Sequence, residues 1–176
     1  MKTLQTPEEY GYVQHGNIVL FQKGPLSQWY GGFKDQDSCF YDQYSGYHFN
    51  CCEQWMMAQK AFLFSDLDTA DLIIAERHPG TQKDLGRRVK NFDPTLWDAV
   101  KEDIVFLGNY YKFTKCNHLR DFLFSYDVNT IFAEAAPWDP IWGIGLGPND
   151  PDAADPSKWR GQNLLGKAIS RVRKLL

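Results

Sequence analysis

The sequence predicts an α+β fold: a helix-dominated single domain with a small N-terminal β-sheet and hairpin. Three observations lead there. β-branched and aromatic runs gather near the N-terminus. Apolar residues recur at helical spacing from Glu53 onward. Helix start signals, Asp-Pro among them, punctuate the rest. Strands first and helices after is the α+β pattern. At 176 residues the chain suits one domain, with its core from about residue 17 and residues 1–16 as an N-terminal extension.

Residues 17–21, Asn-Ile-Val-Leu-Phe, read as a strand ended by Gly24-Pro25. Residues 26–33 read as an irregular loop. Between Cys39 and Asn50, aromatic residues flank Tyr44-Ser45-Gly46, which predicts a hairpin turning near Gly46. Residues 53–65 form a helix. Ser65 or Asp66 caps a second helix through Arg77, and Pro79-Gly80 breaks it. A short basic helix spans residues 82–89. Asp93-Pro94, with Asp at the cap and Pro in the first turn, starts a helix to about Phe113, with Trp97, Val100, Ile104 and Leu107 at core spacing. Asn117 caps another. Residues 128–133 read as a strand, 137–156 as a long Pro-, Gly- and Asp-rich loop, and 162–176 as the last helix.

Net charge is −3 and the pI about 5.8, so no overall basic field attracts long nucleic acid. The basic run at Arg171, Arg173 and Lys174 closes a helix, where cations complement the helix dipole. The four cysteines, Cys39, Cys51, Cys52 and Cys116, form no C-x-x-C pair, and the four histidines share no ligand spacing. Neither metal nor cofactor is expected. No apolar run approaches the length of a membrane span, and no apolar signal segment opens the chain. A cytoplasmic protein with no membrane partner is the expectation.

The most informative segment is Glu53-Gln54-Trp55-Met56-Met57-Ala58-Gln59-Lys60. It sets an acid and a base seven residues apart in an apolar helix. That spacing is nearly two turns, so Glu53 and Lys60 share a stripe with Met57 and Phe64. They are about 10 Å apart, too far for a direct ion pair. A buried charge is costly without a partner. Both groups are therefore expected to face a polar hollow, where an acid and a cation grip a small molecule.

A second candidate is the loop around Asp139, Trp142 and Gly143. Long loops in compact domains are usually functional, and an acid beside Trp and Gly suits closure on a ligand. Equally, Asp139 can cap a turn while the Trp rings plug the core. The Gly161-Gln162-Asn163 approach to the last helix can receive an anion on its N–H groups, although an ordinary cap accounts for it as well. Lys83 to Arg88 is a basic turn of the kind that holds phosphate, or a solvated surface run.

These pieces, in this order, resemble the NADAR family, which includes the YbiA-type N-glycosidases. The matching stretches are Leu26-Ser27-Gln28-Trp29-Tyr30, Cys52 to Ala61, Lys83-Asp84-Leu85-Gly86-Arg87, Phe92 to Trp97, Tyr111-Lys112-Phe113, Glu134-Ala135-Ala136-Pro137, Asp139 to Gly145 and Trp159 to Gly166. Two departures stand out. Gln54 occupies a position where many members carry His. Lys115-Cys116 replaces a Gln-Asn pair.

The resemblance implies hydrolysis of the N-glycosidic bond between ribose and a nitrogen base. Ribosylaminopyrimidine phosphate intermediates of riboflavin biosynthesis are one substrate class it implies. ADP-ribosyl adducts of guanine are the alternative, and only there does nucleic acid become a partner. Such a reaction builds positive charge on the sugar and negative charge on the leaving base. Glu53 is the expected catalytic carboxylate at the sugar and Asp139 the second. Lys60 is expected to hold phosphate or ribose oxygens, or to attack the anomeric carbon as a lysine of lowered pKa. Trp97 and Trp142 are expected to sandwich the base, and Lys83 and Arg87 to hold phosphate. Trp29, Lys112, Glu134, Gly143 and Asn163 complete the expected substrate contacts. The rival classes are a non-catalytic module for nucleotide or ADP-ribose, which needs no paired carboxylates, and a purely structural interaction domain, which needs no pocket.

Overall fold

A computed structural model describes residues 6–31 and 40–176 of the chain. In chain order its elements are β1 (Val13–His15), β2 (Ile18–Phe21), β3 (Phe40–Asp42), β4 (Tyr47–Phe49), α1 (Cys52–Leu63), α2 (Leu67–Ala75), α3 (Pro79–Gly86), α4 (Pro94–Lys115), α5 (Asn117–Phe124), β5 (Ile131–Glu134) and α6 (Leu164–Leu175). Short 3-10 turns cover Pro151–Ala154 and Pro156–Lys158. Helices dominate and the strands are short, as the α+β expectation has it. The chain divides into two compact units: Met1–Ser27 with Asn117–Leu176, and Gln28–Cys116.

The first unit is built on a sheet of order β1-β2-β5. Gly16, at φ +59, lets the chain reverse, and β1 pairs antiparallel with β2, Val13 opposite Leu20. β2 then pairs in parallel with β5, Ile18 opposite Ile131 and Phe21 opposite Glu134. All of β2 is buried, which explains its unbroken apolar run. Ile18 and Leu20 join Ala133, Ile144 and Leu146 in one core cluster. Phe21 meets Tyr12, and Phe132 meets Tyr126 edge-on at 5.3 Å. α6 packs on β5. Arg173, in the last turn of α6, donates to the Tyr126 carbonyl and lies over the Phe124 ring, so the basic C-terminal run has a packing role as well as a dipolar one.

The second unit centres on α1, which packs against α2, α3 and α4. β3 and β4 pair as a hairpin, with Gly46 at φ +76 in the turn and both Asp42 oxygens accepting from the Tyr44 and Ser45 amides. The aromatic residues of that stretch feed a cluster of Phe40, Phe49, Trp55 and Tyr111. Gln54 is buried. Its Nε2 donates to the carbonyls of Ile73, Ile74 and Glu76 and its Oε1 accepts from the Asn50 amide. It thereby closes the C-terminus of α2, whose last carbonyls have no intrahelical partner.

Several boundaries differ from expectation for local reasons. β1 was not foreseen, because Val13-Gln14-His15 is short and mostly exposed. α3 starts at Pro79 rather than residue 82: the His78 side chain caps it and Pro79 occupies its first turn. It therefore ends at Gly86. The strand expected at 128–133 begins at Ile131, after a turn whose Asp127 side chain accepts from the Asn129 amide. The larger correction concerns α4. Its buried face is Val105, Gly108, Asn109, Lys112 and Phe113, whereas Leu107 is exposed and Trp97, Val100 and Ile104 are partly so. Two polar residues on that face disguised it. Cys39, Gly32 and Phe33, at the edges of two expected segments, lie outside the described residues.

Candidate active site

Cys51 starts α1 in an extended conformation, its Sγ accepting the Gln54 amide. The helix then carries Glu53, Met57, Lys60 and Phe64 along one side. Met57 lies against Gly86 so closely that a Cβ there would fall 2.0 Å from its sulfur. One turn on, Lys60 Nζ donates to the Gly86 carbonyl at 2.8 Å. The same ammonium stands 4.2 Å from the Phe92 ring centre and 5.7 Å from that of Trp97. Phe64 meets Phe92 edge-on. Met57, Lys60 and Phe64 of the stripe read from spacing thus meet α3 and the aromatic residues after it. Burial pushes the Lys60 pKa below its ordinary value.

Glu53, at the N-terminal end of this stripe, is 3% exposed. Its amide donates to the Gln28 carbonyl at 3.0 Å. A carboxylate in the first turn of a helix is favoured by the N-terminal partial charge. The structure brings Lys60 and Trp97 together in this unit. Lys83 is half-buried on α3. Arg87 is exposed and pairs with Asp84 at 2.9 Å. Trp29 is half-buried, its ring edge 3.7 Å from where a Gly80 Cβ would stand.

Lys112 is fully buried on α4, with its ammonium 4.8 Å from the Phe113 ring centre. Burial lowers its pKa, and the neighbouring thiols of Cys52, Cys51 and Cys116 act against that. Burial pushes Cys52 up to about 11, with Lys112 opposing, and raises Cys51 further still. These are inert buried thiols. A groove of about 830 Å³ in this unit is lined by Asp42, Tyr44, Trp55, Gln59, Tyr110 and Tyr111 among others, and by none of the candidate residues.

In the first unit the long loop is a knitted structure. Asp139 Oδ1 accepts from the Ile141 and Trp142 amides at 3.0 and 2.8 Å, which is a side-chain-capped turn. Gly143 leaves no room for a side chain: a Cβ would stand 2.8 Å from the Glu134 carbonyl oxygen. Asn163 is buried in the left-handed region at φ 52. Its Oδ1 accepts from the Glu134 amide and its Nδ2 donates to the Phe132 carbonyl, tying the start of α6 to β5. The amides of Asn163, Leu164 and Leu165 donate to the carbonyls of Gly143, Ile141 and Trp142. Of the N–H groups that suggested an anion site, those of Gln162 and Asn163 are occupied by the carbonyls of Pro140 and Gly143. Trp142 is half-buried, as is Glu134 at the end of β5.

Sequence reasoning gave Gln28 and Asn109 no role. Both are buried amides bonded to each other, Gln28 also accepting the Glu53 amide on its main-chain carbonyl, and a polar residue at the core spacing 105-109-113 was the signal for Asn109. Among the described residues no group of His, Cys, Asp or Glu stands ready to hold a metal ion, and no helix is long and apolar enough to cross a membrane.

The NADAR domain family matches residues 17–176. The chain belongs to the NADAR family. A relative described as an N-glycosidase, from Acanthamoeba polyphaga mimivirus, is 44% identical over 122 residues, which is 69% of this chain and 71% of that protein. The Caenorhabditis elegans protein irg-1 is 36% identical over 131 residues, 73% of this chain and 61% of its own length. The NMR structure of the E. coli protein YbiA matches with a TM-score of 0.66 at 22% identity, covering 99% of this chain and 92% of that one. At that identity the likeness speaks to the fold, and the NADAR fold is what the sequence resemblance implied.

Proposed function

We propose that this NADAR domain is an N-glycosidase, a hydrolase that cleaves the bond between a ribose and a nitrogen base. The observation that carries this is a carboxylate, Glu53, held almost wholly out of solvent in a helix first turn, in a chain similar to a protein described as an N-glycosidase. Burial strengthens its field on a nearby cation, and the reaction generates such a cation at the anomeric carbon. Glu53 stabilises that charge or takes the proton of the attacking water. Asp139 is the second carboxylate, its Oδ1 anchored by the turn it caps.

Lys60 is held between a backbone carbonyl and two aromatic rings, with its proton affinity lowered by burial. That favours either a ligand-holding ammonium or a nucleophilic amine. Trp97 offers a face for the base, and Lys83 and Arg87 offer charge for a phosphate. Trp29, Lys112, Glu134, Trp142, Gly143 and Asn163 remain proposed substrate contacts. The proposed substrates are ribosylaminopyrimidine phosphates of the riboflavin pathway, with ADP-ribosyl guanine as the alternative, and the proposed setting is the cytoplasm.

The test is to incubate purified protein with both substrate types and follow free base by mass spectrometry. Base release from one of them is expected. Absence of release from any N-riboside, with ligand still bound, would leave a binding module instead. Borohydride in the same assay traps a Schiff base if Lys60 attacks; no trapped mass assigns Lys60 to binding.

A further inference from the structure

Two buried amides, Gln28 and Asn109, are each half-satisfied, and their geometry fixes which atoms are left over. Asn109 is 0% exposed and Gln28 6%. Asn109 Nδ2 donates to the Val105 carbonyl at 2.9 Å and to Gln28 Oε1 at 2.9 Å. A backbone carbonyl can only accept, so the Asn109 atom facing Val105 has to be the amide nitrogen. That nitrogen in turn needs an acceptor, so the Gln28 atom facing it has to be the oxygen. Reversing Asn109 would set two oxygens together at Val105, and reversing Gln28 alone would set two nitrogens together. The atoms left over are Gln28 Nε2, a donor, and Asn109 Oδ1, an acceptor. Neither has a hydrogen-bond partner, and both are shielded from solvent. Native proteins rarely keep such a pair without a use for it.

The location is specific. The main-chain carbonyl of Gln28 accepts the Glu53 amide at 3.0 Å. The pair is therefore tied, through the main chain of Gln28, to the first turn of α1, the turn that carries Glu53.

We infer that Gln28 and Asn109 position the substrate's sugar by holding its 2-hydroxyl, which accepts from Gln28 Nε2 and donates to Asn109 Oδ1. This rests on the proposed N-glycosidase function. A hydroxyl is the smallest substrate group that plays both roles at one atom. A phosphate or carbonyl oxygen would meet Gln28 but oppose Asn109, and an ammonium would do the reverse. Of the ribose hydroxyls, the 2-hydroxyl adjoins the anomeric carbon, where Glu53 acts, and hydrogen bonds to it strengthen as the sugar becomes cationic. Gln28 is the adaptable member, on the turn-rich stretch of residues 24–31 with three side-chain torsions. Asn109 is fixed on α4.

The experiment is titration calorimetry on the full chain with ribose 5-phosphate and 2-deoxyribose 5-phosphate, for the native protein, Gln28→Met and Asn109→Leu. A site built to bond a hydroxyl discriminates strongly against its absence. The native protein is expected to prefer ribose 5-phosphate by at least about tenfold, and each variant by less than about twofold. Gln28→Met is close in volume and removes an orphaned polar atom, so its thermal unfolding is expected to stay close to native; Asn109→Leu removes one orphan but strands Gln28 Oε1, so it is expected to unfold at a lower temperature. If Asn109→Leu does not fold, Gln28→Met alone decides.

Equal binding of the two sugars by the native protein, binding of neither, or a preference that survives in the variants overturns the inference. Base release measured in parallel separates the two claims. Sugar preference without base release removes the N-glycosidase and keeps the pair. Base release with an unaltered preference in the variants removes the pair alone.

Discussion

The α1 region and the loop of residues 137–163 both announce a ligand site in the sequence, yet their polar residues are employed differently. In the loop, local backbone needs account for each notable side chain. Asp139 caps a turn, Gly143 makes room for a carbonyl, and Asn163 joins β5 to α6. Around α1 the fold uses Gln54 fully, closing α2 with it. It leaves the Gln28 and Asn109 amides half-used in the interior. A polar side chain that the fold already needs says little about a ligand. One that the fold strands in its interior says more, because stranding it costs about 1–3 kcal/mol.

The comparison breaks first where α6, the helix that follows the loop, meets β5. A Cβ on Gly166 would stand 2.0 Å from the Phe132 carbonyl oxygen. Gly166→Ala is expected to cost more than about 3 kcal/mol, by denaturant unfolding, because backbone has to move. Near-native stability would mean that the junction of β5 and α6 is looser than it looks.

Asp139→Asn sharpens the contrast. The amide keeps an oxygen for the Ile141 and Trp142 N–H groups, so stability is expected to change by less than about 1 kcal/mol. Turnover is expected to fall about 100-fold if its charge serves the reaction as proposed. Full turnover would return Asp139 to its turn alone.

The buried thiols supply a pH test of the α1 region. Burial raises the folded pKa of Cys52 from 9.0 to about 11. Its contribution is therefore fully present below pH 9 and is lost as pH climbs through 11. Chemical denaturation is expected to show a loss on the order of 2 kcal/mol over that window, reduced in Cys52→Ala. Identical alkaline slopes would mean the thiol is reached by solvent.

Arg87→Ala should matter least to the fold, within about 0.5 kcal/mol, since its pair with Asp84 is exposed. A phosphate role appears instead as a rise in KM for a phosphorylated substrate, with kcat held. Unchanged KM removes Arg87 from the site.

Much of this was legible in the sequence. Strong cap chemistry placed α2 and α4: Asp66 accepts from the Thr69 amide and Asp93 from those of Thr95 and Leu96. The acid-base stripe on α1 was legible because helical period places residues 53, 57, 60 and 64 together. What escaped had no local signal. The burial of Lys112 and Asn109 on α4 depends on partners far along the chain and contradicts the usual polarity of a core. The use of the α6 N-terminus by loop carbonyls depends on backbone paths that composition does not encode, whereas the Asp139 turn was one of the two readings the sequence left open.

The central claim is that the carboxylate of Glu53 performs the chemistry and is not a structural group. Its measure is the rate of base release from an N-riboside by the native protein and by Glu53→Gln, with thermal unfolding followed on both. A fall of about 1,000-fold or more with an unchanged melting temperature is the predicted result. Turnover within a few-fold of native in a folded Glu53→Gln protein would contradict it.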